Sequence, residues 1–279
     1  ANLRRKSPSV IRARLSAVLV ALSPYRRNNP RGKRVTEAYA VYSRELKEVV
    51  RVQNEQTEKQ VMSEKHAANW TSFESLCNVR DKLSKVAEKL MSEEINNSEN
   101  YPATVMKIQD WVLASLYTYH APRRNEYADM KVISYEKFHA MSKEDKDKFN
   151  WLTVRKNVGT PGKIYTFHFH NFKTCKVFGS QIIPLSSEMS EVMDAWLKVN
   201  TSGWLLLNRQ MKKLSRPYLS IILPRVFADT GKRIGSCMLR HIYCTEYFEG
   251  DSTFLEKKAL SRAMGHSIMC QQKFYVKVE

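Results

Sequence analysis

This 279-residue chain has no apolar run of 18 residues, so no stretch of it is long and greasy enough to cross a bilayer as a helix, and no membrane partner is expected. Its first residues, ANLRRKSPSV, lack the apolar centre of a secretory leader. Cysteine is scarce and badly spaced for bridging. The five residues (77, 175, 237, 244 and 270) are odd in number and form no CxxC pair, which argues against a disulfide frame or a zinc site and for reduced thiols in an intracellular protein. Metal ligands are also short. His168 and His170 alternate onto one face of a strand-like run, but nothing near them in sequence supplies a third ligand, so they read as surface or partner-facing histidines and no metal or other cofactor is expected. Acidic residues are outnumbered, 28 against 46 Lys and Arg, giving a formal charge of +18 and a pI near 9.7. A basic excess of this size fits a partner rich in phosphate. An apolar content of 43% excludes a disordered chain, and the length suffices for two domains.

Helical patterns fill the first third. Ser7-Pro8-Ser9 is a start signal, followed by a stripe of Val10, Leu15, Val18, Leu19 and Leu22. A break at 23–34 carries two prolines and the cations Arg26, Arg27, Arg31, Lys33 and Arg34, which suit phosphate contact as a basic loop. A second helix carries Tyr39, Tyr42, Leu46, Val49 and Val50, and a third runs from a capping box at Thr71-Ser72-Phe73-Glu74 through Leu76, Val79, Leu83, Val86 and Leu90. The polar stretch at 93–102 is the expected linker between a helical domain (1–92) and a second domain (103–279). That second domain opens with a helix through Val105, Ile108, Val112 and Leu116. Residues 131–184 then read largely as strands, with 151–156, 163–174 and 180–185 as the clearest runs and CKVFG (175–179) as a hairpin turn. Helices return from Ser186, and a basic loop, GKRIG, presents Lys232 and Arg233.

The end of the chain carries the chemistry. MLRHIY holds Arg240 and His241, AMGHS holds Gly265-His266-Ser267, and Tyr275 follows nine residues after the histidine. Singly, each is ordinary: a solvated helix face, a capped turn, a packed tyrosine. Together they suit phosphoryl transfer, in which a guanidinium neutralises the phosphate, an imidazole bonds a phosphoryl oxygen and a phenol attacks phosphorus. Such chemistry needs positioning and charge stabilisation above all.

The LRH, MGHS and Tyr275 series, with PRRNEYADMKV upstream, resembles the C-terminal boxes of the tyrosine recombinases (phage-type integrases), and within them those of large eukaryotic DNA viruses and mobile elements. The resemblance covers about 103–279. It implies a mainly α fold with a small antiparallel β-sheet: a helical core-binding domain that clamps DNA, then an α+β catalytic domain. It implies double-stranded DNA as partner, a homo-tetramer on paired DNA sites, and a location where DNA is, in the host nucleus or a viral factory. The implied reaction is site-specific DNA recombination or integration by transesterification. Tyr275 would form a 3′-phosphotyrosyl intermediate, Arg123, Arg240 and His266 would hold the non-bridging oxygens, and Lys173 would protonate the leaving 5′ oxygen. Arg123 has an acid three residues on, Glu126, as the family pattern asks; Arg124 is its rival, and Lys176 is the rival of Lys173.

Two features depart from the family pattern. Cys237 stands three residues before Arg240, where many members carry histidine or lysine, and a neutral thiol is a poorer donor to phosphate. The sequence also stops four residues after Tyr275. Two other functions stay open on this reading: a type IB topoisomerase-like relaxing enzyme using the same residues, and a DNA-binding relative with a weakened site.

Overall fold

The computed structural model describes residues 7–28, 32–92, 100–157 and 162–277. Two compact units divide the chain, one ending at Val61 and the other spanning Met62–Lys277. The division falls upstream of the expected linker, of which residues 93–99 lie outside the described residues.

The first unit is a pair of packed helices, α1 (Pro8–Asn28) and α2 (Lys33–Glu58). The expected basic loop is shorter than 23–34. Pro24 is accommodated inside α1 at the loss of one backbone hydrogen bond. Arg26 and Arg27 therefore ride on the last turn of α1, where cations complement the helix dipole. Lys33 and Arg34 begin α2, all four cations are exposed, and Arg31 lies outside the described residues. Leu15 is the residue of α1 that is fully buried.

The second unit begins with a short helix, α3 (Glu64–Ala68), then α4 (Phe73–Ser92) and α5 (Tyr101–Thr118). Ser72 caps α4, its Oγ accepting from the Ser75 amide at 3.1 Å. The two long helices pack along each other through Leu76, Val79 and Ala87 on one side and Val105, Ile108 and Val112 on the other. That packing explains why α4 belongs to the second unit although it precedes the expected linker. Beyond Trp111 every residue of α5 to Thr118 is buried, making it the central rod of the core.

Four strands follow in the order β1 (Lys131–Ser134), β2 (Trp151–Lys156), β3 (Lys163–Phe169) and β4 (Gln181–Pro184). The sheet is mixed, where an antiparallel one was expected. β1 and β2 pair in parallel, while β2–β3 and β3–β4 are antiparallel. A parallel pair needs a crossover, and two helices read as strand in the sequence supply it: α6 (Tyr135–Ala140) and α7 (Lys143–Asp147). Their signal was present. Ser134 and Ser142 each cap a helix, accepting from the amides of Lys137 and Asp145. α6 also accounts for His168, which is buried under the Phe138 ring at 4.3 Å instead of facing outward as expected. Burial pushes its pKa down to about 4. His168 bonds Thr153 and His170 bonds Asp147, and among the described residues no group of His, Cys, Asp and Glu gathers to hold a metal.

The strand-to-strand connection at 175–179 is a turn of helix, α8 (Cys175–Phe178), closed by Gly179 at φ +69°. Helices α9 (Ser187–Val199), α10 (Arg216–Val226), α11 (Ser236–Glu249) and α12 (Phe254–Ala263) complete the unit. Between α9 and α10 the irregular segment Leu205–Leu207 is wholly buried. It is tolerated because Gln109 serves as its backbone partner, donating to the Leu207 carbonyl at 2.9 Å and accepting from the Leu207 amide at 2.6 Å. Trp196 adds a bond from its indole to the Leu205 carbonyl at 2.9 Å. Trp196→Ala removes the largest fully buried side chain and this bond together, so we expect a loss of about 3–5 kcal/mol. Urea titration checks it as a lower midpoint at an unchanged slope.

Candidate active site

Arg240 lies on α11 and is 1% exposed, and its guanidinium is tied to backbone oxygens. Nη1 donates to the Pro122 carbonyl at 2.6 Å, and both Nη atoms reach the Met264 carbonyl at 3.2–3.3 Å. Those bonds join three distant stretches: the turn after α5, helix α11 and the turn after α12. The same guanidinium lies 4.6 Å from the centre of the Tyr275 ring. Tyr275 sits at the end of a π-helical turn, Gln271–Tyr275, and is 7% exposed.

His266 stacks on that ring, with centroids 5.0 Å apart and planes 17° from parallel. Burial first, then Arg240, pushes the His266 pKa down to about 3, so its imidazole is neutral at physiological pH. Nδ1 faces the Ser267 carbonyl at 3.3 Å, which assigns the proton to Nδ1 and leaves Nε2 as the acceptor nitrogen. Gly265, just before it, has φ +72°, a conformation that glycine adopts without a Cβ penalty. Its carbonyl accepts from Thr174 at 2.6 Å.

Arg123 and Arg124 divide their work. Arg123 is 1% exposed, lies 3.9 Å over the Phe169 ring and 5.0 Å from that of Phe172, and donates to the Gln181 side chain on β4. Burial draws its pKa down to about 10, against the pull of Glu126, so its guanidinium is charged near neutrality. Arg124 is the arginine that meets the phenol: its Nη2 donates to the Tyr275 hydroxyl at 3.1 Å. Several buried donors here lack a hydrogen-bond partner among the described residues: Nε and Nη1 of Arg123, and Nε of Arg240. The acceptor atom Nε2 of His266 is likewise unpaired. Buried unpaired guanidinium N–H groups are costly in a protein interior, and an anion between them would satisfy them.

The five residues expected to act together are thus placed as follows. Arg123, Arg240, His266 and Tyr275 converge on one cluster with Arg124. Lys173 is exposed and lies beyond the end of β3, not on the outgoing strand as expected. Its neighbours both touch the cluster, Phe172 through Arg123 and Thr174 through Gly265. Lys176 is exposed within α8. Cys237 is exposed in the first turn of α11, in electrostatic range of Lys277. Lys232 donates to the Ala68 carbonyl at 3.2 Å, while Arg233 is exposed and its amide bonds Asn69. Gln181 was not singled out from sequence, and Gly265 was named only as part of its motif. Nothing local marks Gln181.

No family model matches the chain, and no curated protein matches it. Among solved structures it is similar to XerA recombinase, at 12% identity and a TM-score of 0.41, over 70% of this chain and 57% of that one. It is also similar to XerH site-specific recombinase bound to difH substrate, in pre-cleavage and post-cleavage complexes. For both the identity is 18% and the TM-score 0.41, over 69–71% of this chain and 48% of those. The chain therefore spans about half the length of the structures it matches.

Proposed function

We propose that the chain cleaves and rejoins DNA by transesterification at Tyr275, as a site-specific recombinase or integrase acting on paired DNA sites as a homo-tetramer. One observation carries this reading. A buried tyrosine has a guanidinium at its hydroxyl (Arg124, 3.1 Å), a second against its ring (Arg240, 4.6 Å) and an imidazole stacked on it (His266, 5.0 Å). In the proposed step the Tyr275 oxygen bonds to phosphorus as its proton passes to solvent, and the bond from phosphorus to the 5′ oxygen breaks. Lys173, with Lys176 as the alternative, delivers a proton to that oxygen. Arg123 and Arg240 neutralise the non-bridging oxygens, since preorganised donors in a water-poor site stabilise developing charge strongly. The exposed cations Arg26, Arg27, Lys33, Arg34 and Arg233 supply phosphate contacts, so affinity is expected to fall steeply with salt.

The test is a nicked DNA substrate whose cleavage releases a short fragment and strands the covalent complex. Wild type should give a DNA-linked band on a denaturing gel and Tyr275→Phe none, with equal DNA binding by both. A wild type that binds DNA but behaves like Tyr275→Phe in this assay overturns the reading.

A pH dependence follows from His266. Its proton affinity in the free protein is low, with a pKa of about 3, because it is buried beside Arg240. A phosphodiester entering between the guanidiniums brings negative charge and raises that affinity. Binding therefore takes up a proton, and affinity rises as pH falls through the raised pKa of the bound state towards about 3, by at most about tenfold per unit. Fluorescence titrations from pH 8 to 4 should show a rise in affinity at the acid end in wild type and its loss in His266→Asn.

A further inference from the structure

Arg240 has a neighbour in sequence, His241, that the reaction as proposed does not use. It is 5% exposed and on α11. Its Nδ1 lies 3.0 Å from the main-chain carbonyl oxygen of Tyr275. A carbonyl can only accept, so Nδ1 carries the proton. One turn along the same helix face, Thr245 accepts from the Lys277 amide at 3.0 Å. The main chain around Tyr275 is therefore tied to α11 at two points, the carbonyl of residue 275 and the amide of residue 277. The His241 ring also lies against two others, tilted to each, with centroids 4.7 Å from His66 and 5.2 Å from Tyr275.

We infer that His241 is a positioning residue for Tyr275: its Nδ1–H holds the Tyr275 carbonyl, with Thr245 holding the next amide but one, so that the helix carrying Arg240 also sets where the phenol lies. The inference rests on Tyr275 being the nucleophile. Physically, one rigid element fixes both the cation and the attacking group, which keeps their separation constant while the chain between them, including α12, is free to differ. Misplacement of a reacting group by about an ångström can cost roughly a hundredfold in rate. The bond supplies no proton to the reaction and touches no reacting atom, so its loss should slow the chemical step and leave DNA affinity alone.

The experiment uses three substitutions in the full chain. His241→Phe keeps an aromatic ring beside His66 and Tyr275 and removes the donor. His241→Asn puts an amide nitrogen where Nδ1 sits. Thr245→Val removes the second tie. Single-turnover formation of the covalent complex should fall about 10- to 100-fold in His241→Phe, with DNA affinity within twofold of wild type, and His241→Asn should recover to within threefold. Amide hydrogen exchange gives a readout that needs no activity: the Lys277 amide should exchange at least tenfold faster in His241→Phe and in Thr245→Val, and near the wild-type rate in His241→Asn. A His241→Phe protein that matches wild type in both readouts overturns the inference, as does a His241→Asn protein as impaired as His241→Phe. If wild type itself forms no covalent complex, the reading of Tyr275 as nucleophile fails. The exchange rates then still decide whether His241 holds this segment: unchanged protection in His241→Phe overturns that as well, and lost protection restored by His241→Asn supports it. Should His241→Phe not fold, Thr245→Val decides by the same two readouts.

Discussion

Gly265→Ala is expected to reduce covalent-complex formation at least a hundredfold while leaving DNA binding within a few-fold of wild type. Two effects combine. At φ +72° an L side chain is strained by about 1–2 kcal/mol wherever it has room. Here it has none: the new Cβ would stand 2.7 Å from Nη1 of Arg123 and 3.3 Å from the Phe172 ring. The tip of an arginine is ordinarily easy to displace, but this one is clamped between Phe169, Phe172 and Gln181 at 1% exposure. Relief must therefore come from moving the guanidinium off the position proposed to bind phosphate or from moving the turn that carries His266. Either disrupts charge stabilisation, worth about 10²–10³ per donor. Parallel gel assays of cleavage and filter assays of binding separate the two quantities, and thermal unfolding should show a modest decrease only.

Arg240→Ala should be worse on both counts. The guanidinium closes bonds to Pro122 and Met264, which join the turn after α5 to the turn before His266. Its removal leaves both carbonyls without that donor, at about 1–3 kcal/mol each, and vacates the face of the Tyr275 ring. Covalent-complex formation should fall below detection, more than about a thousandfold, with a melting temperature several degrees lower. Arg240→Lys separates the contributions. An ammonium keeps the charge but lacks the planar fork, so it cannot serve both carbonyls and an anion at once. It should recover stability in part and cleavage hardly at all. Equal recovery of both would mean that charge alone is what Arg240 contributes.

Much of this cluster is legible in the sequence because its members sit in short local motifs. Arg240 falls on a periodic helix, and Gly265-His266-Ser267 is a glycine-then-cap turn in which Ser267 accepts from the Cys270 amide. The strand 151–156 was legible for the same reason, as a short β-rich run. What stayed hidden is what depends on distant partners. That Arg124 meets the phenol while Arg123 turns into the aromatic pocket is decided by packing against Phe169, Phe172 and Gln181, which no spacing encodes. The parallel pairing of β1 was lost because α6 and α7 are only six and five residues long, too short for a period to emerge, although their capping serines were visible. The buried state of His168 follows from α6 lying over it, and the assignment of α4 to the second unit follows from its contact with α5.

The central claim is that one phosphorus atom of DNA becomes bonded to the oxygen of Tyr275. Digesting the complex trapped on nicked DNA and locating the nucleotide-bearing peptide by mass spectrometry tests it most directly. A single modified peptide is expected, with the nucleotide joined through its 3′ phosphate to Tyr275 and a free 5′ hydroxyl on the released strand. A DNA link to any other residue, or to a 5′ phosphate, would contradict it.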